Sequence, residues 1–477
     1  MTAGASDSEV FDHIVVGAGS AGCVVAARLA AAGARVALLE AGGTDRRPDV
    51  RLPLGIASLF ATANWRYPML PDPSKHDQPS AFAAGRIIGG SGSINAMVYV
   101  RGRAADYRRW AQAGATGWDH DDVLPAFRAL ENWCGGADEF RGSGGPIDVS
   151  WCGHTHPLDA AFLDAAAEAG FARNPDHNGA SQLGAGPAQV NQRRGLRCSA
   201  ATGFLRTLPA DRRPRVITRA PVDRVVLERG RAIGVMTRGR LLRAEHDVIL
   251  SAGAIGTPAV LLRSGIGPGG TTADLSGVGQ NLQDHLVVAQ HWSSHVPTIN
   301  SLTVPQAAQA LGSLAARGSG PLTTTPFEAQ LFTDDFQIAI SPIHYQLDPL
   351  RGRARIGRAD AFTVYTVLLH PRSRGHVDRR GAAGHRDGPH GVADLHFDRH
   401  REGPVARHLP AQRQAVAVAR LDDGGHLLQV DLVHDAVAGR DDVDILERLA
   451  RPFDEVEAVL VAAVLNGAVL GEGVGIE

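Results

Sequence analysis

The chain has 477 residues, enough to bury a large core shared by two joined domains. Its 48 basic and 50 acidic residues nearly cancel, so no excess charge predicts binding to nucleic acid or to an anionic membrane. The four cysteines lie far apart without a CxxC pair, which argues against a metal site or a disulfide framework and predicts a cytoplasmic protein. The N-terminal residues show no signal-peptide pattern, and no apolar stretch is long enough to predict a membrane span.

Residues 13–40 predict a strand–turn–helix–strand unit that binds a dinucleotide. An apolar strand at 13–16 runs into the sequence Gly-Ala-Gly-Ser-Ala-Gly at 17–22, and the small apolar residues that follow are typical of a helix buried against a sheet. A second apolar strand at 35–39 ends at Glu40. These flanking elements and the terminal acid favour a dinucleotide site over a glycine-rich turn without a ligand.

Each glycine of this unit has a predicted role. Gly17 makes the turn, Gly19 lets a pyrophosphate approach, and Gly22 packs the helix on the strand. The phosphates would lie on free N–H groups at the helix N-terminus, and Glu40 would accept a ribose hydroxyl. This unit alone leaves NAD and FAD open. Its place early in the chain and the Ala-Gly-Gly after Glu40 favour FAD.

Residues 85–98 form a second glycine-rich segment, Gly-Arg-Ile-Ile-Gly-Gly-Ser-Gly-Ser-Ile-Asn-Ala-Met-Val. A Gly-Gly-Ser-Gly run alone fits a flexible linker, but a solvated linker would not need the apolar residues on both sides. Glycine at such a place lets the backbone approach a flat, extended ligand. Together with residues 13–40, the segment predicts a tightly embedded flavin dinucleotide and therefore a redox enzyme.

Three segments in order resemble the signatures of the glucose–methanol–choline (GMC) oxidoreductase family, flavoenzymes that oxidise alcohols. They are residues 85–102, residues 253–267 (Gly-Ala-Ile-Gly-Thr-Pro-Ala-Val-Leu-Leu-Arg-Ser-Gly-Ile-Gly) and residues 278–285 (Val-Gly-Gln-Asn-Leu-Gln-Asp-His). The resemblance extends over residues 10–377, although Arg108 stands where the family usually has a small polar or acidic residue. These signatures contradict an NAD(P)-dependent enzyme.

The resemblance implies which residues hold FAD. The glycine turn, the acid at its second strand and a backbone contact to adenine would bind the ADP half, and residues 85–98 would line the flavin and diphosphate. Some relatives attach FAD covalently through a histidine where this chain has Ile94, so non-covalent FAD is expected. The expected cofactor-binding residues are Gly17, Gly19, Ser20, Ala21, Gly22, Glu40, Ala41, Ile87, Gly90, Asn95, Ala96, Met97, Val98 and Val222.

The resemblance also implies an α/β fold class, with a Rossmann-like FAD-binding domain and an interleaved substrate domain built on a mainly antiparallel sheet. The FAD-binding domain is expected at 10–155 and 215–285, and the substrate domain at 156–214 and 286–377. Further elements predicted along the chain are a helix at 158–169, a strand at 223–227 paired in a hairpin with Val235 and Met236, and strands at 336–340 and 362–369.

Residues 378–477 form an atypical tail with no match to the family. The tail contains no Ser, Thr, Lys, Tyr, Trp, Cys or Met, where ordinary composition gives roughly ten hydroxyl residues per hundred. The family's catalytic histidine and its partner, a second histidine or an asparagine, usually follow motifs resembling HxxGTxxMG and GNTNAPT, and both motifs are missing. We interpret the tail as the product of a reading-frame slip near residue 377 or, alternatively, as a genuinely divergent, non-catalytic segment.

The sequence therefore leaves the catalytic residues unknown. Asp284 and His285 are interpreted as ordering a loop near the flavin, and His344 and His370 as structural. The tail histidines are irregularly spaced among charges and lack the tight clustering of a metal site. They are His385, His390, His396, His400, His408, His426 and His434.

Two functions compete at this point. One is FAD-dependent oxidation of a CH–OH donor of the choline-dehydrogenase-like type, by hydride transfer to flavin N5, with activity impaired by the missing histidine pair. The alternative is a catalytically inactive FAD-binding remnant. The expected partners are a small-molecule alcohol and an electron acceptor, a quinone or another. Glu328, at a position where the family often has Glu, keeps a polar or cationic alcohol open.

Overall fold

The computed structural model describes residues 9–70, 80–348 and 353–378, and the backbone of the short strands at 394–398, 417–421 and 427–432. Most of the predicted atypical tail therefore lies outside the described residues. Within the described residues, no helix combines the length and the apolar character needed to cross a bilayer.

Helices and strands alternate early in the chain, and strands dominate its second half. The α-helices of the described part are α1 (Ser20–Ala31), α2 (Pro48–Arg51), α3 (Ile56–Thr62), α4 (Ala104–Gln112), α5 (His120–Leu130), α6 (Pro157–Glu168), α7 (Gly253–Arg263) and α8 (Val304–Arg317). The strands are β1 (Val10–Val16), β2 (Val36–Leu39), β3 (Tyr67–Met69), β4 (Ser80–Phe82), β5 (Glu131–Trp133), β6 (Ile147–Trp151), β7 (Gly184–Pro187), β8 (Gln189–Val190), β9 (Gln192–Arg193), β10 (Leu196–Arg197), β11 (Arg215–Ile217), β12 (Val222–Glu228), β13 (Arg231–Thr237), β14 (Arg240–Leu250), β15 (Ile266–Gly267), β16 (Ala273–Asp274), β17 (Leu286–Ser293), β18 (Ala329–Phe332), β19 (Phe336–Ser341), β20 (Tyr345–Asp348), β21 (Arg353–Ile356), β22 (Ala361–Leu368), β23 (Arg374–Asp378), β24 (Asp394–Asp398), β25 (Ala417–Leu421) and β26 (Leu427–Leu432).

A six-stranded sheet in the order β11-β2-β1-β14-β13-β12 forms the dinucleotide-binding half. β11, β2, β1 and β14 run parallel, and β14, β13 and β12 continue as an antiparallel meander. Helix α1 packs on one face through Cys23, Ala26 and Ala30, and α7 packs on the other through Val260. The β1–α1–β2 crossover brings the carboxyl ends of two parallel strands to one edge, which is where ligands bind in such sheets.

A five-stranded antiparallel sheet in the order β17-β22-β19-β18-β7 forms the second half. Its apolar face carries Leu331 and Phe362 and packs against Phe162 of α6. Because side chains alternate along a strand, the opposite face carries Gln330 and Thr363, which are also buried. The two sheets confirm the predicted α/β fold class.

The elements predicted along the chain are confirmed with small shifts at their ends. The helix predicted at 158–169 is α6, and the strands predicted at 336–340 and 362–369 are β19 and β22. The predicted hairpin is β12 and β13, in which Val225 pairs with Val235 and Arg224 with Met236.

Residues 200–205 lie with the dinucleotide-binding half, not with the substrate half. Ala200, Ala201, Phe204 and Leu205 share one apolar core with α1. This packing favours a return of the chain to the dinucleotide-binding half earlier than residue 215. The division into two discontinuous domains, with its boundaries, stays a proposal.

A buried ionic network ties the chain after residue 98 to the substrate half. Glu131 and Arg141 are fully buried, and Arg141 Nη2 lies 3.1 Å from Glu131 Oε2. Arg101 Nη2 donates to Glu131 Oε1 over 2.6 Å, and Arg141 Nη1 donates to Asp176 Oδ1 over 2.7 Å. Each buried charge of this network has an opposite partner, which is the condition under which charges are tolerated in a protein interior.

Candidate functional site

The glycine turn after β1 is shaped by backbone contacts that leave no room for side chains. Gly17 has φ +95°, and a Cβ there would lie 2.7 Å from the carbonyl oxygen of Ser251. A Cβ at Gly22 would lie 1.9 Å from the carbonyl oxygen of Gly17, so α1 packs directly on the turn. A Cβ at Gly19 would meet protein only at 3.9 Å. That open side is where the predicted pyrophosphate would approach.

Helix α1 begins at this turn with an uncapped N-terminus. Gly19 is the N-cap residue, no side chain accepts a hydrogen bond there, and the first turn has no acidic residue. The first N–H groups of a helix have no intrahelical acceptor and, together with the helix dipole, favour an anion. The backbone of Ser20, Ala21 and Gly22 therefore offers the donors that a diphosphate needs.

Glu40 follows β2 as a buried carboxylate and is only 5% exposed. Its Oε2 accepts from the Ala18 N–H over 3.1 Å, and its Oε1 accepts from the Gly42 N–H over 2.7 Å. Burial raises the pKa of Glu40 to about 7, and the backbone donors oppose that shift. A carboxylate has about four acceptor positions, so Glu40 can still accept from the predicted ribose hydroxyl.

A cavity of about 800 Å³ opens beside this carboxylate. Ala41 and Arg86 line one part of it, and Pro221 and Asp223 line another. Val222, the predicted adenine contact, begins β12 between these last two residues, and its carbonyl accepts from Arg263 Nη2 over 3.2 Å. The cavity thus lies at the adenosine end of the predicted cofactor.

Residues 85–98 fold as a partly buried loop across the glycine turn and are not a flexible linker. Gly89 and Gly90 have φ of +88° and +56°, and a Cβ at Gly90 would lie 2.7 Å from the Cα of Gly19. Met97 is buried with φ +62°, a left-handed conformation that few residues other than glycine adopt. The loop therefore closes over the predicted diphosphate position.

The second half of this loop is held by side chains on both sides. Ile94 packs in an apolar cluster with Ile87, and it offers no nucleophile to a flavin, so non-covalent attachment stays the prediction. Asn95 Oδ1 accepts from the Met97 N–H over 3.1 Å and from Arg197 Nη1 over 2.7 Å. These contacts fix residues 95–98, whose backbone is predicted to line the flavin.

Comparison with known proteins identifies the family. The model of GMC oxidoreductases matches residues 11–287, more than half of the chain. The chain belongs to the GMC oxidoreductase family. The cofactor is FAD, and the glycine turn, the uncapped helix and the closing loop all fit it. The part that each expected residue plays in binding FAD stays a prediction.

Curated relatives within the family include two oxygen-dependent choline dehydrogenases. That of Photobacterium profundum is 39% identical over 313 residues, which are 61% of this chain and 54% of the relative. That of Rhizobium johnstonii is 36% identical over 398 residues, covering 78% of this chain and 71% of the relative. The chain thus spans about half the length of the first of these two relatives.

Solved structures give the same fold. Pyridoxine 4-oxidase from Mesorbium loti superposes with a TM-score of 0.67 at 28% identity, over 81% of this chain and 75% of that chain. Formate oxidase superposes with a TM-score of 0.71 at 21% identity, over 82% of this chain and 77% of that chain. At this lower identity the second likeness supports the fold alone.

The substrate half of this GMC chain contains a buried carboxyl pair. Glu328 is 3% exposed, and its Oε1 accepts from Thr324 Oγ1 over 2.5 Å and from Cys152 Sγ over 3.5 Å. Asp159 is 2% exposed and shares a hydrogen bond with Glu328. Burial and the neighbouring Asp159 raise the pKa of Glu328 to about 9. Glu328 therefore keeps its proton at neutral pH, and burial raises the pKa of Asp159 as well.

The other residues considered as catalytic candidates lie outside the loop and turn. Asp284 and His285 are exposed and contact each other, since the His285 N–H donates to Asp284 Oδ1 over 2.9 Å. His370 is exposed, with its Nε2 3.5 Å from Asp106 Oδ1. The His344 ring lies 4.7 Å from the ring of His291 in the substrate half. None of these contacts involves residues 85–98.

Two functional candidates were missed by reasoning from the sequence. Arg197 follows Arg193 and Arg194 closely in the chain, so the sequence offers no signal that separates this buried arginine from its more exposed neighbours. Asp159 follows a proline at the start of α6 and accepts from the His156 N–H over 2.7 Å. That capping role gives Asp159 an ordinary explanation, so its second role with Glu328 has no local signal.

Proposed function

We propose that this chain binds FAD non-covalently for the oxidation of an alcohol, a CH–OH donor. The observation that supports the proposal most strongly is the closure of residues 85–98 over the glycine turn, with Gly90 packed against Gly19. The adenosine would lie by Glu40 and Val222, the diphosphate on the N-terminus of α1, and the flavin along residues 95–98.

FAD, when bound, supplies the redox chemistry by accepting at N5 a hydride from the carbinol carbon of the alcohol. The residues of the chain bind and orient. The N–H groups of α1 hold the diphosphate, and Asn95 and Met97 fix the backbone beside the flavin. The buried polar face of the second sheet, with Gln330 and Thr363, would take the alcohol hydroxyl. The hydroxyl proton needs a base within hydrogen-bond reach of the substrate oxygen.

We also infer that turnover by this chain is impaired. The family's histidine pair follows motifs that residues 378–477 do not contain. General-base catalysis contributes about 10²–10⁴-fold to a rate, so a loss of that size is expected. The same missing motifs favour the second candidate function, FAD binding without alcohol oxidation. Resequencing the coding DNA across residue 377 in all three frames shows whether a neighbouring frame contains the motifs.

Choline is the first substrate to test because the curated relatives are named as choline dehydrogenases. A neutral primary alcohol is the matched comparison. The acceptor of the electrons, a quinone or another, follows from which compound reoxidises the reduced protein. The cytoplasmic location stays a prediction.

Anaerobic reduction of the purified full chain tests the proposal. We expect a yellow protein whose visible flavin bands are bleached at once by dithionite and only slowly by alcohol. Bleaching at an ordinary enzyme rate, about 1–10³ s⁻¹, contradicts the inferred impairment. Bleaching by dithionite but never by alcohol establishes the binding-only function. A protein that neither retains FAD on purification nor takes it up afterwards contradicts both.

A further inference from the structure

Arg197 is a buried cation without an anionic partner. It is 1% exposed, at the end of the β9–β10 hairpin. Burial lowers the pKa of Arg197 to about 10, so the side chain keeps its charge at neutral pH, and no nearby acid opposes the shift. Arg141, the other fully buried arginine of the described residues, is paired with carboxylates. An unpaired buried charge is costly, which calls for an explanation.

The guanidinium contacts only neutral acceptors. Nε donates to the Val50 carbonyl over 3.0 Å, and Nη1 donates to the Gly92 carbonyl over 3.2 Å and to Asn95 Oδ1 over 2.7 Å. Nη2 is buried and has no hydrogen-bond partner in the described part of the chain. These acceptors satisfy some of the donors, but none neutralises the charge.

These contacts place the cation directly behind the predicted cofactor-binding loop. Gly92 adjoins the N-terminus of α1, since a Cβ there would lie 2.9 Å from Ser20 Oγ. Asn95 begins the four residues predicted to line the flavin. Arg197 therefore lies behind the point at which the part of the loop predicted to face the phosphates, near Gly92, joins the part predicted to face the flavin, from Asn95 onward. The anion that balances its charge is expected on the other side of that loop.

We propose that Arg197 is a positioning residue for FAD and that its permanent positive charge is balanced by the anionic cofactor. The charge stabilises reduced flavin more than oxidised flavin. The inference rests on the proposed binding of FAD to residues 85–98. A hydride brings two electrons and one proton, so reduction adds one negative charge to the flavin. A nearby fixed cation favours that product through the Coulomb interaction in a poorly solvated site.

Two substitutions separate charge from shape. In Arg197→Gln the charge is lost, and in Arg197→Lys it is kept while the fork of donors is lost. We expect Arg197→Gln to bind oxidised FAD about tenfold more weakly and reduced FAD about a hundredfold more weakly. The tenfold difference lowers the midpoint potential by about 30 mV for a two-electron couple. Arg197→Lys should weaken FAD binding but keep the potential near that of the wild type.

The matched control is Arg193→Gln on the same hairpin. Arg193 pairs with Leu196 in the hairpin ladder, but its guanidinium is partly exposed and is bonded to Asp148. We expect its substitution to change neither the FAD affinity nor the potential. A bound flavin whose potential is unchanged in Arg197→Gln would show that the arginine acts through packing alone and would overturn the proposal.

Asn95→Asp provides a test that does not depend on the folding of an Arg197 variant. It places a carboxylate 2.7 Å from Arg197 Nη1 in nearly the same shape. If the buried charge lacks a partner, the apoprotein of Asn95→Asp melts at a higher temperature than the wild-type apoprotein, yet binds FAD more weakly. An unchanged or lower melting temperature contradicts the proposal. Failure of the wild type to bind FAD would instead contradict the proposed function.

Discussion

The two halves of the molecule each contain a buried glutamate, and they hold it in different ways. In the dinucleotide-binding half, Glu40 is fixed by the N–H groups of Ala18 and Gly42, which are backbone donors from the glycine turn and from its own strand end. In the substrate half, Glu328 is held by Thr324, Cys152 and Asp159, all through side chains. At neutral pH the carboxyl group of Glu40 is partly ionised, because its pKa is about 7, and that of Glu328 is protonated, because its pKa is about 9.

The difference shows how backbone and side chains stabilise different charge states. Two N–H donors stabilise the ionised form of Glu40 and partly offset the cost of burial. Glu328 accepts hydrogen bonds as well, but the charge of Asp159 adds to the cost of its ionisation. Backbone donors suit a carboxylate that receives a ligand's hydroxyls, whereas a pair of carboxyl groups suits a retained proton.

Removal of Arg141 has the largest expected effect, because Glu131 is a third buried glutamate and depends on full ion pairing. Arg141→Ala leaves Glu131 with Arg101 alone and takes the guanidinium from Asp176. We expect destabilisation of about 3–5 kcal/mol, measured by urea unfolding. The control is Arg173→Ala, whose ion pair with Asp164 is exposed and should contribute less than about 1 kcal/mol. Similar losses in both variants would contradict this account.

Gly22→Ala should break the dinucleotide-binding half while leaving the substrate half folded. The added methyl group would lie 1.9 Å from the Gly17 carbonyl oxygen, so α1 must move away from the turn. We expect a loss of about 1–3 kcal/mol in stability and the loss of bound flavin, measured by melting and by the flavin absorbance after purification.

Gly312→Ala is the matched control for this substitution. It is the same exchange inside helix α8, where a Cβ meets nothing within 4 Å. Removing a glycine from a helix interior should raise stability by about 0.5–1 kcal/mol and leave the flavin content unchanged. A Gly22→Ala protein that retains its flavin would show that the turn does not hold the diphosphate.

Glu40→Gln tests whether the first carboxylate serves the cofactor. One of its two N–H donors then meets an amide group that cannot accept, and the charge that would bind the ribose is lost. We expect FAD to bind about 10–100-fold more weakly, which corresponds to a charge-assisted hydrogen bond of about 1.5–3 kcal/mol. Because the pKa of Glu40 is raised to about 7, wild-type affinity should also weaken as the pH falls below 7. Equilibrium dialysis of both proteins at pH 6 and 8 measures this, and equal pH dependence in the variant would rule out Glu40.

Prediction from the sequence succeeded where the determinants are local. Strand β1, the turn at Gly17, helix α1 and Glu40 follow within one short stretch, so spacing alone predicts their arrangement. Arg197 could not be found in this way, because its acceptors Asn95 and Val50 lie 102 and 147 residues away in the chain. The packing of Ala200 and Phe204 on α1 is equally non-local, because it joins residues about 175 positions apart in the chain.

The pH dependence of stability gives the finest test of the comparison between the two glutamates. A carboxyl group whose pKa is raised in the folded state stabilises the protein at low pH, and that contribution is lost as the pH rises to the folded value. Glu40 therefore contributes to this loss up to about pH 7 and Glu328 up to about pH 9. Between pH 7 and 8, Glu328 with its partner Asp159 should dominate, and stability should fall by at most about 1.4 kcal/mol per pH unit.

Glu328→Gln should remove that slope. The amide keeps the shape of the protonated acid: its oxygen accepts from Thr324, and its NH₂ donates to Asp159 in place of the shared proton. We expect the urea midpoints of wild type and variant to agree near pH 4, about the unfolded pKa of a glutamate, and the variant to be the more stable at pH 8. Because Glu328 lies outside the predicted cofactor contacts, the Glu328→Gln protein should bind FAD with the same affinity as the wild type. If the wild-type midpoint is flat from pH 7 to 8, the proton is not held between the two carboxyl groups, and the contrast with Glu40 disappears.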